Sequence, residues 1–413
     1  MSMEVGLIDG PMERGPSPLW SRGMVAVLIA QFVSAFADNA LLFGALALLQ
    51  RQNYPDWAAP VLQEFFSVAY IILAPFAGPF ADSIPKGRVM LIANGLKLAG
   101  ALGMCLGLNP FLAYGLVGLG AAAYSPAKYG ILSELTSAEN LVKANGLIES
   151  STIAAILAGA IAGGALAGWN VMYALAIVTA SYGLAAAANL FIPRLPPAHP
   201  LHTFSISGVF RDFVAAVRAM FRNPDTRFSM TGTSLFWGAG STLRFLLVAW
   251  VPIALGMTNI SVPGYLNGVV AVGIVVGAAL AGKLVTLEKT ERSLPAGMLI
   301  GIGVCVLAPT TNLYVAFAIM MVIGAGGGFF VVPLNALLQD RGHRTVGAGH
   351  AIAVQNFVEY TFMLVMVGLY ALAVRAGAPI PALAAGFGAA LTVSIGALWM
   401  HRARNRATTS PAT

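Results

Sequence analysis

Apolar stretches of about 20 residues recur along almost the whole chain, and they restrict its fold more than any other feature. A helix of about 20 residues crosses the apolar core of a bilayer, which is about 30 Å thick. Apolar residues make up 58% of the 413-residue chain and charged residues only 9%, against about 25% charged in soluble domains. We therefore predict an all-α membrane protein with twelve transmembrane helices, near residues 24–49, 58–81, 88–107, 110–126, 146–168, 171–192, 229–252, 264–284, 294–309, 312–335, 348–373 and 380–400.

The basic residues are distributed very unequally between the two sets of loops that alternate along the chain. Nineteen of the 23 Lys and Arg residues lie in the tails and in the loops after even-numbered spans, whereas only Arg51 and Arg375 lie on the other side. Lys97 and Arg244 fall within spans. Cytoplasmic loops of membrane proteins carry the excess of Lys and Arg. The distribution predicts that both termini are cytoplasmic, and it explains the net charge of +7 without a nucleic-acid partner.

The longest polar stretch divides the predicted spans into two groups of six. Weak internal similarity supports two homologous halves, since Ser34-Ala-Phe36 in span 1 is echoed by Ser234-Leu-Phe236 in span 7. Parallel halves with substrate bound between them near the membrane midplane describe the major facilitator fold. The predicted units are a cytoplasmic tail (1–23), a six-helix half (24–192), a central cytoplasmic loop (193–228), a second six-helix half (229–400) and a cytoplasmic tail (401–413).

The segment after span 2 resembles a motif of the major facilitator superfamily, G-x-x-x-D-(R/K)-x-G-R. In this chain Gly78, Asp82, Gly87 and Arg88 occur in the order of the motif, but two additional residues separate Asp82 from Gly87. The resemblance implies a conformational clasp, in which Asp82 binds charges at helix ends and holds one state of the protein.

The central loop contains an amphipathic segment. Its basic residues Arg211, Arg218 and Arg222 lie off the apolar face. A basic amphipathic helix is typical of attachment to an anionic membrane surface, and a simple tether between the halves is the alternative. The apolar residues that recur at helical spacing are Val209, Phe210, Phe213, Val214, Val217 and Phe221.

Charged residues within spans cost roughly 2.5–3.5 kcal/mol each on insertion scales, so they require partners or water. Asp38 in span 1 and Arg244 in span 7 lie on two helices that line the central cavity of this architecture, with Gln31 and Trp237 nearby on the same helices. We predict that they pair across the empty cavity and separate around a zwitterion. Asp38 would bind an ammonium and Arg244 a phosphate, which suits a planar guanidinium. A salt bridge that only joins the halves is the alternative.

Other residues within the spans have less specific interpretations. Lys97 is expected to be a packing or helix-end charge that reaches toward the interface, and Glu64 is expected to face the interface. Glu149 in span 5 and Glu359 in span 11 could each carry a proton or brace a neighbouring helix. Small residues permit close helix contacts, which are predicted at Gly159, Gly163, Gly273 and Gly277.

Five segments carry a more specific signal than composition does, namely residues 31–43, 87–97, 121–131, 232–240 and 328–339. Together they resemble the bacterial lysophospholipid transporters, and the likeness covers essentially the whole chain after Trp20. The resemblance implies that the protein moves lysophosphatidylethanolamine and lysophosphatidylglycerol across the bacterial inner membrane to the cytoplasmic leaflet. Re-acylation there implies a functional partner, a bifunctional acyltransferase and acyl-carrier-protein synthetase. A monomer and sideways substrate entry from the bilayer are expected.

The resemblance also implies which residues contact the substrate. Asp38, Asn39, Lys128 and Arg244 match the motifs as headgroup contacts. Gln31, Trp237 and Glu149 complete the predicted substrate site. Apolar side chains beside these charges are expected to form the wall for the acyl chain, and they are Leu41, Leu42, Phe43 and Phe245.

A proton-coupled carrier of a small soluble or amphiphilic solute is the main alternative, with Glu149 or Glu359 as the proton site. A membrane acyltransferase is not indicated, because no His has an Asp five residues later, as the H-x-x-x-x-D motif of such enzymes requires. Cys105 and Cys305 lie in apolar stretches without clustered histidines. Neither a disulfide framework, a metal site nor a cofactor is therefore predicted.

Overall fold

The computed structural model describes residues 19–54, 58–196, 206–257 and 261–409, and the regular structure in these ranges is helical. A 3-10 helix, Leu287–Ser293, leads directly into α11. The helices are α1 Arg22–Arg51, α2 Ala58–Ser83, α3 Lys86–Cys105, α4 Pro110–Gly130, α5 Leu132–Leu135, α6 Ala138–Trp169, α7 Val171–Asn189, α8 Ile206–Arg222, α9 Pro224–Ala254, α10 Ser261–Leu284, α11 Leu294–Leu307, α12 Leu313–Val346, α13 Ala348–Arg375 and α14 Ile380–Thr409.

Asparagine starts four of the long helices. The side chains of Asn109, Asn170, Asn223 and Asn312 accept hydrogen bonds from backbone N–H groups in the first turns of α4, α7, α9 and α12. Such a side chain satisfies N–H groups that have no partner within the helix. In α4 and α9 a proline follows directly, and proline suits the first helical position because it has no N–H to satisfy. These caps determine where each helix begins after its turn.

Eleven helices among the described residues are long and apolar enough to cross a membrane. Helix α4, with 21 residues, is not one of them, because Gly, Pro and Tyr residues lower its hydropathy. Several helices exceed the predicted spans, since α6 begins at Ala138, α9 begins at Pro224 and α12 continues to Val346. The predicted spans end where the apolar residues end, but a helix can continue beyond the membrane into water. The helices are therefore longer than the predicted spans. The side chain of Glu64 lies outside the described part of the chain.

Close contacts at small residues hold each half together. Gly159 and Gly163 of α6 face α1, and a Cβ atom on Gly163 would lie 2.6 Å from the Cα of Ala40. In the second half, a Cβ atom on Gly273 or Gly277 of α10 would overlap the backbone of α12. Backbones that approach this closely leave no room for a side chain. The predicted close contacts at these glycines are confirmed.

Helix α8 lies across the joint between the halves. Phe213, Ala216 and Met220 are buried in a cluster with residues of α2, α9, α12 and α13. Phe210 and Val214 of the same predicted stripe remain 48% and 43% exposed. The predicted segment forms a helix, and its apolar surface is divided between a face that packs on the bundle and a partly exposed face.

The halves meet mainly at the end of the bundle where α8 connects them, which we call the linker end. There α2 packs against α13 and α6 packs against α10. A Cβ atom on Gly78 of α2 would lie 2.8 Å from the Cα of His350, and one on Gly146 of α6 would lie 3.1 Å from the carbonyl oxygen of Ala278. These backbone approaches close the bundle at the linker end.

The contact between α10 and α12 can be tested with a pair of substitutions. Gly277→Val should lower the stability of the protein in detergent by about 1–3 kcal/mol, because the added side chain forces the helices apart. Gly268→Val in the same helix is the control, since a Cβ atom there meets no atom within 4 Å. Thermal unfolding measures both variants, and an equal loss of stability in the two would contradict the close contact.

Candidate functional site

Asp82, near the end of α2, binds the start of α13 in the other half. Its Oδ1 accepts a hydrogen bond from the N–H of Gly349 at 2.7 Å, and its Oδ2 accepts from the backbone N–H of His350 at 3.0 Å and the Nδ1–H at 2.8 Å. The first N–H groups of a helix lack partners within it and carry partial positive charge. The buried carboxylate therefore caps a helix of the opposite half.

The other members of this clasp differ from those that the sequence motif predicts. Lys86 lies 3.5 Å from Asp82 and also forms an ion pair with Glu134. Arg88 is exposed, and Gly87 packs against the segment after α7 in its own half. The two additional residues in the motif move Arg88 about half a helical turn further along α3, so Lys86 takes the place of the motif's basic residue beside the carboxylate.

Two further polar contacts join the halves. Asn145 of α6 and Gln339 of α12 exchange two hydrogen bonds between their amides, at 2.9 and 2.7 Å. Asn356 of α13 donates to the hydroxyl of Ser125 in α4 at 2.9 Å. Buried amides that satisfy each other favour one relative position of the helices that carry them. Together with Asp82, these contacts form the floor of a central cavity.

The central cavity lies between the halves and has a volume of about 190 Å³. Lys128 faces this cavity from the last turn of α4, and its Nζ lies 4.1 Å from the centre of the Tyr129 ring, a distance suited to a cation–π interaction. The lining residues are Tyr70, Ser125, Lys128, Tyr129 and Thr152 from the first half, and Trp237, Asn335, Gln355, Asn356, Glu359, Tyr360 and Met363 from the second.

A chain of hydrogen bonds links one carboxylate of each half beside this cavity. Glu149 accepts from the hydroxyl of Tyr129 at 2.9 Å and from the amide of Asn335 at 3.1 Å. Gln355 donates to Asn335 at 2.8 Å and to Glu359 at 2.7 Å. Both carboxylates are buried. A ligand that binds one carboxylate would therefore disturb contacts that extend into the other half.

Asp38 is paired inside the first half and not across the cavity. Its Oδ2 lies 2.7 Å from Nζ of Lys97, and its Oδ1 accepts from the hydroxyl of Tyr182 at 2.8 Å. Lys97 is only 2% exposed and also donates to Ser34 at 3.0 Å. These contacts contradict the predicted pair with Arg244. They agree with Lys97 as a packing charge and not with Lys97 as a helix-end charge that reaches toward the interface. The physical reason is that a buried ammonium needs a carboxylate close to it.

Arg244 lines a second cavity, which lies within the second half and has a volume of about 280 Å³. Its side chain is exposed and forms no ion pair among the described residues. Trp237 and Met363 line both this cavity and the central one, so a polar space and an apolar space adjoin. The apolar residues of the second cavity include Phe236, Leu243, Val270, Ile274, Ile300, Val304, Ile323 and Phe387.

Two residues of the predicted substrate site have structural partners. Gln31 donates to the hydroxyl of Thr152 at 2.7 Å and to the carbonyl of Ile148 at 3.2 Å, which attaches α1 to α6. Asn39 donates to the carbonyl of Ala35 one turn earlier in its own helix, at 2.9 Å. Neither residue lines the central cavity described above.

The predicted acyl-chain wall does not coincide with the apolar cavity. Leu41 is fully buried in the core of the first half, and Leu42 packs against that core. Phe43 lies beside Gly164, and Phe245 is 48% exposed on α9. Consecutive residues of a helix point about 100° apart, so neighbours of Arg244 in sequence face other directions. The apolar space is formed by residues from six helices of the second half.

Several lining residues were not among the predicted contacts, and they differ in the signal that the sequence offers. Gln355 and Asn356 are consecutive amides in an otherwise apolar span, just before Glu359. Polar residues in such spans face the interior of the bundle, so this pattern could have identified them. Tyr70 and Tyr360, which stack at 4.3 Å between ring centres, carry no comparable signal.

Two halves around a central cavity and an all-helical, multi-pass membrane architecture define a transporter of the major facilitator type. The chain belongs to the Major Facilitator Superfamily, whose sequence profile matches residues 27–367. This membership confirms the predicted fold family and the prediction of a transporter over an enzyme.

Curated relatives match nearly the full length. The chain is 59% identical over 387 residues to the lysophospholipid transporter LplT of Shigella boydii serotype 4 (strain Sb227), which covers 94% of this chain and 98% of that protein. It is 58% identical, with the same coverage, to the lysophospholipid transporter LplT of Escherichia coli (strain K12 / DH10B). The resemblance predicted from five segments is confirmed.

Solved structures with low sequence identity share the fold. The major facilitator transporter FucP in the outward conformation has a TM-score of 0.74 at 13% identity and covers 92% of this chain and 98% of that chain. A bacterial homologue of the iron transporter ferroportin in the outward-facing state has a TM-score of 0.71 at 17% identity, with 92% and 99% coverage.

The ion pair between Asp38 and Lys97 is expected to be structural. Lys97→Met leaves the partly buried carboxylate of Asp38 without its cation, so we expect a loss of about 3 kcal/mol of stability, measured by thermal unfolding and by the yield of folded protein. The double variant Asp38→Asn/Lys97→Met should recover most of that loss. A single variant as stable as the unsubstituted protein would rule out the structural role.

The cap that Asp82 provides is expected to keep the linker end closed. In a cysteine-free background, Ala348→Cys places a thiol at a position that is buried beside Gly130 of the other half. Adding Asp82→Asn should increase its rate of labelling by a hydrophilic maleimide several-fold. Asp212→Asn, on the exposed face of α8, is the control, and equal labelling rates in all three proteins would contradict the role of the cap.

Proposed function

We propose that this protein transports lysophospholipids, chiefly lysophosphatidylethanolamine and lysophosphatidylglycerol, across the bacterial inner membrane to the cytoplasmic leaflet. The single observation that carries the proposal is the junction of two cavities, a polar one between the halves and an apolar one within the second half, which share Trp237 and Met363. A lysophospholipid has a charged head and one long acyl chain, so it needs both environments. The near full-length similarity to lysophospholipid transporters supports the same substrate class.

The head is proposed to occupy the central cavity. Lys128 is the cation that lines it, and we assign it to the phosphate. Glu359, on the opposite half, is assigned to the ammonium of the ethanolamine head or to a hydroxyl of the glycerol head. Glu149 accepts a hydrogen bond from Tyr129, whose ring lies beside Lys128, and it takes part through that residue. Opposite charges on the two halves suit a zwitterion that draws the halves together.

The acyl chain is proposed to occupy the apolar cavity of the second half. Arg244, at the rim of that cavity, is assigned to the phosphate during entry, before the head reaches Lys128. In this proposal Asp38, Asn39 and Gln31 support the helices, and Leu41, Leu42, Phe43 and Phe245 are not part of the wall. Entry is proposed to be sideways from the bilayer, because an acyl chain leaves lipid most easily without passing through water.

The transport cycle is proposed to be alternating access. The protein would have twelve spans, with α4 as the twelfth, and both termini in the cytoplasm, because the excess of basic residues lies at the linker end. The linker end would then be the cytoplasmic end, closed by Asp82 in the described state. The product would be consumed by the acyltransferase and acyl-carrier-protein synthetase that restores the second chain. A monomer is sufficient for this cycle, since one chain contains both cavities.

A proton-coupled carrier of a small soluble or amphiphilic solute is the second candidate. The observation that favours it is the pair of buried carboxylates, Glu149 and Glu359, joined through Asn335 and Gln355. Carboxylates in the interior of membrane proteins often form proton relays. In that case a protonophore would abolish transport, whereas uncoupled lysolipid transport would survive it.

Uptake of labelled lysophospholipid into proteoliposomes tests the proposal. Lys128→Ala should lower uptake of both lipids about tenfold or more, because the phosphate loses a charged hydrogen bond. Glu359→Gln should lower uptake of lysophosphatidylethanolamine more than that of lysophosphatidylglycerol, since only the former carries an ammonium. Lys143→Ala, exposed on α6, is the control.

Three outcomes would oppose the proposal. Absence of uptake by the unsubstituted protein would reject a lysophospholipid substrate. Uptake that a protonophore abolishes would favour the proton-coupled carrier. Full uptake by Lys128→Ala would remove Lys128 from the headgroup site.

A further inference from the structure

A third cavity, of about 280 Å³, lies at the linker end between α9 and α14, away from the two cavities assigned to the substrate. It contains basic side chains and hydroxyl groups together with apolar ones. The lining residues are Pro224, Arg227, Phe228, Thr231, Ser394, Ala397, Leu398, His401 and Arg402.

Arg402 is buried in the wall of this cavity with part of its hydrogen-bonding capacity unused. The residue is 8% exposed. Its Nη2 forms an ion pair with Asp225, and its guanidinium lies 4.8 Å from the centre of the Phe228 ring. Its Nε has no hydrogen-bond partner among the described residues. A buried guanidinium nitrogen without a partner is unfavourable, so an acceptor that entered the cavity would relieve that cost.

Arg227 faces the same cavity, and its side chain contacts a histidine ring. Its Nη2 lies 3.1 Å from Nε2 of His401. A guanidinium can only donate, so in this contact Nε2 is the acceptor. The positive charge of Arg227 is therefore not balanced by a carboxylate in this contact.

The charges around the cavity contain an excess of cations. Asp225 is shared between Arg402 and Arg341, the latter at 3.1 Å. Asp340 pairs with Arg344 at 2.8 Å and lies 3.7 Å from Arg341. Among the residues that line the cavity, Arg227 and Arg402 carry guanidinium groups and none is a carboxylate. A charge excess of this kind at a partly enclosed site favours the binding of an anion.

The outer surface of α14 beside the cavity is apolar. Val393, Trp399 and Met400 are 70%, 41% and 61% exposed, which suits contact with acyl chains. Trp residues of membrane proteins concentrate at the level of the lipid headgroups. Basic pockets between transmembrane helices on the cytoplasmic side bind anionic lipid heads. An anion at this position would therefore have acyl chains that run along α14.

We propose that the cavity between α9 and α14 binds the phosphate of an anionic phospholipid such as phosphatidylglycerol, held by Arg227 and Arg402, as a site distinct from the transport cavity. The shared chemistry is a phosphate group, and the apolar surface of α14 favours a lipid as its source over free phosphate. Bound there, the lipid would join α9, which lines the substrate cavities, to α14.

Native mass spectrometry of the full-length protein in detergent tests the site. Phosphatidylglycerol and phosphatidylethanolamine of matched chains are added in turn, and the apparent dissociation constants are compared. The unsubstituted protein should retain phosphatidylglycerol in preference to phosphatidylethanolamine. Arg227→Ala should weaken phosphatidylglycerol binding about tenfold, as expected for one lost hydrogen bond to a charged group.

Two further variants distinguish binding in the cavity from general electrostatic attraction and from a loss of folded protein. Arg211→Ala removes an equal charge from a side chain that is 84% exposed on α8, and it should leave binding unchanged. Ala397→Leu narrows the cavity at an exposed position of α14 without any change of charge, and it should also weaken binding. Uptake of labelled substrate by each variant verifies that it is folded.

Several results would overturn the proposal. If Arg227→Ala and Arg211→Ala weakened phosphatidylglycerol binding equally, the binding would be due to general electrostatic attraction and not to the cavity. Unchanged binding in both Arg227→Ala and Ala397→Leu would exclude the cavity. Displacement of phosphatidylglycerol by millimolar inorganic phosphate would assign the site to a free anion. Because the readout is lipid binding, failure here leaves the proposed transport function unaffected.

Discussion

The buried carboxylate of Asp82 closes one end of the molecule by capping a helix that belongs to the opposite half. Helix α13 begins at a glycine that offers no side-chain cap, so its first N–H groups depend on this partner. The cap brings α2 and α13 together, and the amides of Asn145 and Gln339 pair at the same end. The central cavity exists because the halves are joined below it, and α8 packs across that joint.

The two halves differ in where their polar side chains lie. In the first half, the buried side chains of Lys97 and Tyr182 form a compact network with the partly exposed Asp38. Such networks specify one arrangement of helices when every member has a partner. The second half places its polar residues along one wall and leaves an apolar space behind Trp237. This asymmetry matches a substrate with a charged head and an apolar tail.

Much of the fold was predictable from the sequence, because hydropathy and the distribution of basic residues are properties of single segments. Lys128, Glu149 and Trp237 were also predicted as site residues, and the structure places them at or beside the central cavity. The prediction that Asp38 pairs with Arg244 was wrong, because Asp38 pairs with Lys97. The choice of partner depends on which faces of α1, α3 and α9 meet, and the sequence does not give that. The apolar cavity was unpredictable for the same reason, because it is shared among six helices.

The most direct test of this account is a structure determined with a bound, non-hydrolysable analogue of lysophosphatidylethanolamine. Density for the phosphate is expected next to Lys128, and density for the acyl chain is expected in the cavity of the second half, past Trp237. A headgroup at Asp38, or an acyl chain against Leu41, Leu42 and Phe43 with the second cavity empty, would contradict it.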